Sequence, residues 1–172
     1  MKKLITTLFL VCGLSNEAYA ESSLPKCKGD DYRQWTNCYG EMKFPRIKYK
    51  GEWKDGKFEG KGTLTEAWGG VYTGDFVNNL AHGFGKQVEL DGSWWEGEVE
   101  NDYLVKGKYV NSEGTIFTGT FNKWLLEGPG TIEYADGSKY VGNFKNDLFH
   151  GQGTMDYESG SKYVGQWKED YY

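Results

Sequence analysis

The sequence has little of what most enzymes and membrane proteins need. It contains three cysteines, three prolines and two histidines, and no apolar run beyond residue 20 is long enough to cross a bilayer as a helix. With His82 and His150 alone, no histidine-based catalytic or metal site can be built from the sequence. Acidic side chains outnumber basic ones, 25 against 20, which argues against a nucleic-acid ligand. Helical periodicity is also missing, and 25 glycines oppose helix formation.

The N-terminal residues 1–20 are predicted to be a secretory signal peptide. Lys2 and Lys3 precede an apolar run from Leu4 to Leu14, and the segment Ala18–Ala20 supplies the small-x-small cleavage pattern. Removal of this leader would leave 18 basic and 24 acidic side chains, a net charge of −6. The mature chain is therefore expected to be exported, periplasmic or secreted, without a transmembrane segment.

Residues 21–48 are predicted to form an N-terminal cap. Cys27 and Cys38 are the two cysteines that remain after removal of the leader, and an even count in an exported chain favours a disulfide. Their spacing is not C-x-x-C, so a structural bond is favoured over a redox role. By the chain-entropy model it would stabilise the fold by about 3 kcal/mol. The segment from Gly40 to Pro45 resembles the second half of the repeat described next.

A tyrosine–glycine phrase recurs along the rest of the chain. Its first aromatic stands at positions 49, 72, 95, 117, 140 and 163, at intervals of 22 or 23 residues. A fixed period in this range indicates a repeat protein whose units stack on their neighbours. Residues 49–172 are therefore predicted to hold five units and a terminal half unit. The core positions predicted from the clearest copies are Tyr49, Gly51, Trp53, Tyr72, Gly74, Phe76, Tyr140, Gly142, Phe144, Tyr163, Gly165 and Trp167.

Alternation within a unit predicts two short strands. Tyr140, Gly142 and Phe144 share one face of the first strand, and polar residues take the other. A turn is predicted at 146–150 and a second strand at 151–157. Connections this short exclude parallel pairing. The fold class is therefore all-β: an elongated single-layer antiparallel sheet of hairpin repeats, in which glycines leave room for aromatic rings of neighbouring units.

Two units depart from the pattern. Unit three is one residue short, with Val105 in the place of a glycine, so a shortened turn or a bulge is expected. In unit four Pro129 lies between the paired glycines, and it is expected at a bulge or with its nitrogen turned away from the neighbouring strand. His82 and His150 are interpreted as turn residues. The G-x-G pairs are not interpreted as phosphate loops, because no helix follows them.

Three tryptophans fall outside the recurring aromatic positions. Trp68 is predicted in a turn, Trp94 on the polar face of its strand, and Trp124 in a turn place that Gly56 and Asp147 hold in other units. Exposed tryptophan is typical of contact sites, so these three are the candidate partner-contact residues. Packing against a neighbouring turn or the cap is the alternative.

An acidic stripe is predicted on the polar face of one strand. Glu96, Glu98 and Glu100 alternate with inward-facing residues. They could hold a hard cation such as calcium or a basic partner, and a solvated stripe is the alternative. No EF-hand-like loop is present, and no metal site is predicted.

The pattern Y-x-G-x-[WF] followed by G-x-G, at a period of 23, resembles the MORN repeat (membrane occupation and recognition nexus). Tyr72, Gly74, Phe76, Gly83 and Gly85 carry it in unit two. The resemblance implies an elongated antiparallel array that acts as an interaction or scaffold module. In eukaryotic relatives such repeats are linked to phospholipid and protein contacts. The aromatic–glycine repeats of cell-wall-binding proteins are a rival, with a period nearer twenty.

The function expected from these features is that of a non-enzymatic scaffold without a cofactor. It would bind a protein or an envelope component outside the cytoplasm. Binding of phospholipid headgroups or glycan through the three off-pattern tryptophans is the alternative.

Overall fold

A computed structural model describes residues 22–171, so the predicted signal peptide lies outside the described residues. Within residues 22–171 twelve strands form one sheet in sequence order, each antiparallel to its neighbours. A single 3-10 turn, Tyr32–Gln34, precedes them. The predicted fold class is confirmed. The strands are β1 (Cys38–Lys43), β2 (Ile47–Lys54), β3 (Lys57–Glu66), β4 (Val71–Val77), β5 (Leu80–Val88), β6 (Trp94–Glu100), β7 (Tyr103–Val110), β8 (Ile116–Asn122), β9 (Leu125–Glu133), β10 (Lys139–Lys145), β11 (Leu148–Asp156) and β12 (Lys162–Lys168).

The turn inside each hairpin is shorter than predicted. In unit five it consists of Asn146 and Asp147, with φ of 51° and 68°. Two successive residues at positive φ suit the right-handed twist of the flanking strands, and asparagine and aspartate tolerate that conformation. The turn predicted at 146–150 was therefore wrong, because β11 already begins at Leu148. His150 and its counterpart His82 lie in strands rather than in turns.

A bulge interrupts the hairpin of each of the five units, directly after the paired glycines or, in unit three, one pair beyond them. In unit five Gly142 is opposite Gly153, but the next residue, Asn143, is opposite His150. Two residues of β11 are thus left out of the pairing, and one of them, Gly151, has φ of 65°. Because the number of extra residues is even, the alternation of side chains between the two faces of the sheet is the same before and after the bulge.

Unit three has a one-residue bulge instead. Glu98 is opposite Lys106, and Val99 is opposite Leu104. The residue missing from this unit is therefore missing from its bulge, which confirms the predicted irregularity. The odd slip also reverses the alternation and so brings Leu104, which is fully buried, onto the core face.

Pro129 also lies in a bulge, as predicted. In unit four Gly119 is opposite Gly130 and Thr120 is opposite Glu127, so Gly128 and Pro129 stand outside the β8–β9 pairing. A proline at this place removes no ladder hydrogen bond from that hairpin.

The core lies on one face of the sheet, hereafter the core face. First-strand aromatics supply most of it, and Tyr49 and Tyr140 have no exposed surface. A second set of core residues, at the start of the second strands, was not predicted, because those positions were assigned to turns. This set comprises Phe58, Ala81, Leu104, Leu126 and Phe149.

The repeated tyrosine folds over the glycines of its own unit. The Tyr140 ring stacks on Phe149, with ring centroids 3.7 Å apart. A methyl group on Gly142 would lie 2.6 Å from the Tyr140 ring and 2.7 Å from Gly153 Cα. The Tyr140 hydroxyl donates to the Asn143 carbonyl at 3.1 Å. The predicted use of glycine for packing is therefore confirmed, but in this unit the ring comes from the same repeat rather than from a neighbour. Tyr49, Tyr72 and Tyr163 make the same bond to Glu52, Asp75 and Gln166 at 3.0, 3.1 and 3.0 Å.

The second residue of the hairpin turn ties successive units together. The Asp147 carboxylate accepts from the Leu126 N–H at 2.6 Å, and the Asp147 N–H donates to the Leu126 carbonyl at 3.0 Å. We call this pair of bonds the staple. It satisfies backbone groups of the preceding hairpin at the edge of the core. Asn79, Asp102 and Asp170 form the same staple to Phe58, Ala81 and Phe149.

The N-terminal cap covers the β1 end of the sheet. The predicted disulfide is confirmed, joining Cys27 to Cys38 with an S–S distance of 2.03 Å. The Cys27 N–H donates to the Tyr39 carbonyl at 2.9 Å. The buried Trp35 accepts at its carbonyl from the Gly56 N–H at 2.8 Å, as Phe58, Ala81, Leu126 and Phe149 do for later turns. Trp35 thus takes the place that Phe58 holds 23 residues later.

Candidate functional site

The outer face, opposite the core face, is the largest surface that the single layer leaves uncovered. Alternate side chains of each strand point to it. Most are polar, and ion pairs cross from strand to strand. Examples are Glu41 with Lys48 at 3.2 Å and Asp156 with Lys162 at 2.9 Å.

Trp94 lies on the outer face, as its alternation predicts. It is partly buried, and the ammonium groups of Lys86 and Lys108 lie 4.5 and 5.3 Å from its ring centroid. Two cations on neighbouring strands thus flank one indole ring. Cation–π contacts of this kind hold the ring in place and concentrate positive charge beside it.

The acidic stripe is interleaved with lysines. Glu96 is opposite Lys86 on one side and Lys108 on the other, and Glu98 is opposite Lys106. The Lys86 ammonium lies 3.5 Å from the Glu96 carboxylate. Glu100 is opposite Tyr103. In the part of the chain that the structure describes, no group of three or more His, Cys, Asp or Glu side chains is placed to hold a metal ion. The binding of a cation or a basic partner by this stripe stays a prediction.

Trp68 lies in the turn between β3 and β4, as predicted. Its side chain is 58% exposed, and the nearby Leu90 is 81% exposed. Burial and the neighbouring Glu89 raise the pKa of the Glu66 carboxyl, and a hydrogen bond with Trp68 opposes that shift. The structure therefore places an exposed indole beside two carboxylates.

Trp124 occupies the staple position of unit four with φ of 73°, matching the turn place predicted for it. Its side chain cannot accept a hydrogen bond as aspartate does. Instead the indole contacts Trp95 and Tyr103, with ring centroids 5.6 and 6.2 Å away, and it stays 44% exposed. The three off-pattern tryptophans therefore have different surroundings and do not form one site.

Two buried tyrosines have perturbed pKa values. Burial, with a smaller effect of Asp170, raises the pKa of Tyr140 to about 12. Burial also raises the pKa of Tyr49. Because each hydroxyl donates to a backbone carbonyl of its own repeat, both groups serve the fold.

The sequence reasoning missed an apolar row on the outer face. Its members are opposite one another on five consecutive strands, β4 to β8. Four of the five are adjacent in sequence to an inward-facing aromatic, which indicates their facing, but the row itself depends on register between strands. The apolar row consists of Val71, Val88, Trp94, Val110 and Ile116.

Within residues 22–171, no helix has the length and apolar character needed to traverse a bilayer.

Comparison with known proteins shows relatives of the repeat region. The ALS2 C-terminal-like protein of Bos taurus is 32% identical over 124 residues, which is 66% of this chain and 12% of that protein. Alsin of Homo sapiens is 32% identical over 107 residues, 55% of this chain and 6% of alsin. Alsin of Rattus norvegicus is 30% identical over 104 residues, again 55% and 6%. The chain thus spans about a tenth or less of the length of these relatives.

The family model of the MORN repeat matches residues 49–71, 72–88, 117–139 and 140–162. Each segment holds the two strands of one hairpin. The part between them, 89–116, contains the unit with the one-residue bulge. Since the four matches together cover half of the sequence and each coincides with a hairpin, the chain belongs to the MORN repeat family.

Proposed function

We propose that this protein is a non-enzymatic repeat scaffold that binds a protein partner or an envelope component outside the cytoplasm. The observation that carries the proposal is the one-sided core. Among residues 22–171, eighteen buried apolar side chains form one cluster, while the outer face of the sheet remains accessible. Extended repeat arrays use such continuous surfaces for binding.

Binding is favoured over catalysis by how the two buried tyrosines with perturbed pKa values are used. Tyr49 and Tyr140 have raised pKa values, but their hydroxyls are engaged with backbone carbonyls of the core. The outer-face carboxylates Glu96 and Glu98 are opposite lysines. A perturbed pKa supports an active site only where the group can reach a substrate.

Two features support a location outside the cytoplasm. The leader at 1–20 has the pattern of a signal peptide, and the Cys27–Cys38 disulfide fits an oxidising compartment. Expression of the full chain with its leader, followed by cell fractionation and mass spectrometry, tests this. A mature N terminus at Glu21 in an envelope or secreted fraction is expected. Recovery of the uncleaved, reduced chain in the cytoplasm would overturn the location.

The binding role is tested by affinity capture from an envelope fraction. The mature chain is used as bait in parallel with Trp68→Ala, Trp94→Ala and Trp124→Ala, after circular dichroism has shown that each variant is folded. Saturable capture of the same protein in replicate experiments, weakened by at least one variant, is expected. If no protein is retained above a bead control, the scaffold proposal fails.

A second candidate is binding of phospholipid headgroups or glycan. The observation that favours it is the exposed pair formed by Trp68, between β3 and β4, and Leu90, between β5 and β6. Both lie in connections on the same side of the sheet. Indole rings in such connections suit a sugar ring or the interfacial region of a membrane. Co-sedimentation with anionic vesicles or insoluble cell-wall glycan that depends on Trp68 would favour this candidate. Sedimentation unaffected by Trp68→Ala would count against it.

A further inference from the structure

We propose that the apolar row on the outer face docks an amphipathic helix of a partner protein whose flank carries acidic side chains. This inference rests on the proposed scaffold function and names the surface and the chemistry of its partner.

The apolar row is continuous across five strands. Val71 is opposite Val88, Val88 opposite Trp94, Trp94 opposite Val110, and Val110 opposite Ile116. Directly opposite residues of a sheet project to the same side with their Cβ atoms about 5 Å apart. The five side chains therefore lie side by side and form one strip. Val88 is 40% exposed, and the other four are partly buried with no second layer over them.

The strip has defined ends, because the next residue of the same row is polar on both sides. Before Val71, the same row continues with Thr65 on β3. After Ile116 it continues with Glu133, whose carboxylate lies 2.8 Å from the Lys139 ammonium. Four spacings between adjacent strands span about 19 Å. A contiguous apolar strip bounded by polar groups indicates a contact surface rather than scattered exposed residues.

The adjacent row supplies positive charge. Lys86 and Lys108 are two residues away from Val88 and Val110 on their strands and so lie on the same face. Both ammonium groups lie over the Trp94 ring. Glu96 stands between them and pairs with Lys86. Among the described residues, no carboxylate lies within 4 Å of the Lys108 ammonium, although Lys108 is close enough to Glu133 to help lower the pKa of that carboxyl. The strip thus has a cationic flank, although the whole chain is acidic with a net charge of −5.

A helix fits these dimensions. Its apolar side chains recur about every 5.4 Å along the axis, close to the strand spacing of about 4.8 Å. A helix laid across the strands can therefore place one apolar side chain near each member of the strip, and about 13 residues span its length. Acidic residues on the flank nearest the lysines would meet Lys108 and Lys86 and favour this orientation. A basic helix would bring like charges together.

The test uses designed peptides, because the natural partner is unidentified. A fluorescein-labelled peptide of about 18 residues carries a leucine stripe with glutamates on its flank, long enough to cover the strip with one turn to spare. A second peptide has lysine at every glutamate, and a third is a scrambled version of the acidic one. Binding to the intact mature chain is followed by fluorescence anisotropy at low and high salt.

The variants report on the strip and on its flank separately. Trp94→Ala and Val88→Glu should each weaken binding of the acidic peptide about tenfold or more, because they remove or charge the centre of the contact. Lys108→Glu should weaken it about threefold and reduce its salt dependence. The matched control is Val164→Glu, which changes a 66% exposed valine on the same face but outside the strip, and it should leave binding unchanged. Thermal melting checks that every variant is folded.

Several outcomes would overturn the inference. They are equal binding of the acidic and scrambled peptides, tighter binding of the basic peptide, or an equal loss with Val164→Glu. Dependence on Trp94 of binding to phosphatidylglycerol vesicles, without peptide binding, would assign the strip to a membrane. Concentration-dependent self-association lost in Val88→Glu would assign it to a second copy. If envelope capture persists with Trp94→Ala, this inference fails and the scaffold function stands.

Discussion

The regular repeats and the irregular middle of the sheet reach the same fold by different contacts. In the hairpins β2–β3, β4–β5 and β10–β11 a tyrosine hydroxyl bonds to a carbonyl of its own unit. In β6–β7 and β8–β9 the same position holds Trp95 and Phe117, which have no hydroxyl. Phe117 stacks on Tyr109 at 5.6 Å, and Trp95 contacts Trp124. The sheet nevertheless continues through the middle without a break.

This difference shows which features maintain the fold. The strand order and the glycine-to-glycine pairing persist where the tyrosine is absent, as between Gly97 and Gly107. The tyrosine therefore stabilises a repeat without being needed to define it. The apolar row of the outer face spans β4 to β8, and so includes three of the four strands of the irregular middle. The part of the chain least like the repeat pattern thus also carries most of the apolar row on the outer face.

The largest expected effect comes from adding a methyl group beneath the tyrosine. Gly142→Ala would place Cβ 2.6 Å from the Tyr140 ring and 2.7 Å from Gly153 Cα, so backbone and ring must both shift. We expect a loss of about 3 kcal/mol in the free energy of unfolding. Gly119→Ala, in the middle, would meet its nearest atoms at 3.1 Å and should cost about 1 kcal/mol. Urea denaturation measures both, and equal losses would remove the distinction between the regions.

Alkaline pH should weaken the regular repeats next. Burial raises the pKa of Tyr140 to about 12, above its unfolded value of about 10. The stability from the protonated phenol is therefore complete below about pH 10 and is lost as pH rises to about 12, by roughly 2 kcal/mol. Urea midpoints across this range should fall less steeply for Tyr140→Phe, which also loses about 1 kcal/mol at neutral pH. An unchanged slope in that variant would contradict the assignment.

Removing one staple should have a smaller effect. Asp147→Ala leaves the buried Leu126 N–H without its carboxylate partner, which should cost about 1 kcal/mol. Hydrogen exchange followed by mass spectrometry should show faster exchange around Leu126 and no change around Leu104. Leu104 is the reference because Asp147 does not bond to it and because Trp124 holds the staple position of the unit that follows it. Faster exchange at both sites would mean that the lost staple destabilises the sheet as a whole, and would contradict a local role.

The smallest effect is expected from restoring the missing residue. Inserting one glycine between Leu104 and Val105 converts the one-residue bulge into the two-residue form of the other units. We expect a change below about 1 kcal/mol, because the core facing of Leu104 is kept. A glycine inserted between Trp95 and Glu96, inside a paired strand, is the control and should be far more disruptive, since it reverses the facing of one side of β6. Similar unfolding midpoints for the two insertions would contradict the account of the bulge.

Much of the architecture was predictable because alternation and period are local properties of the sequence. The strand faces and the position of Trp94 follow from them, whereas the disulfide follows from the cysteine count and the bulge at Pro129 from the missing N–H of proline. The buried positions of Phe149 and Leu104 were missed, since a five-residue turn was assumed where Asn146-Asp147 suffices. Contacts such as Trp124 with Trp95 depend on the direction in which a turn side chain folds, which spacing does not reveal. The apolar row depends on register across five strands, and this became visible only when the bulges were known.

The staples run in one direction along the chain. Asp147 reaches back 21 residues to Leu126, and Asp170 reaches back the same distance to Phe149. A hairpin is therefore completed only when the turn of the following unit arrives. The N-terminal part of a polypeptide is synthesised first. Each newly formed turn can therefore bond to the hairpin before it, starting from the cap closed by the Cys27–Cys38 disulfide. The order of synthesis then matches the order of assembly, and no segment has to wait for a distant partner in the sequence.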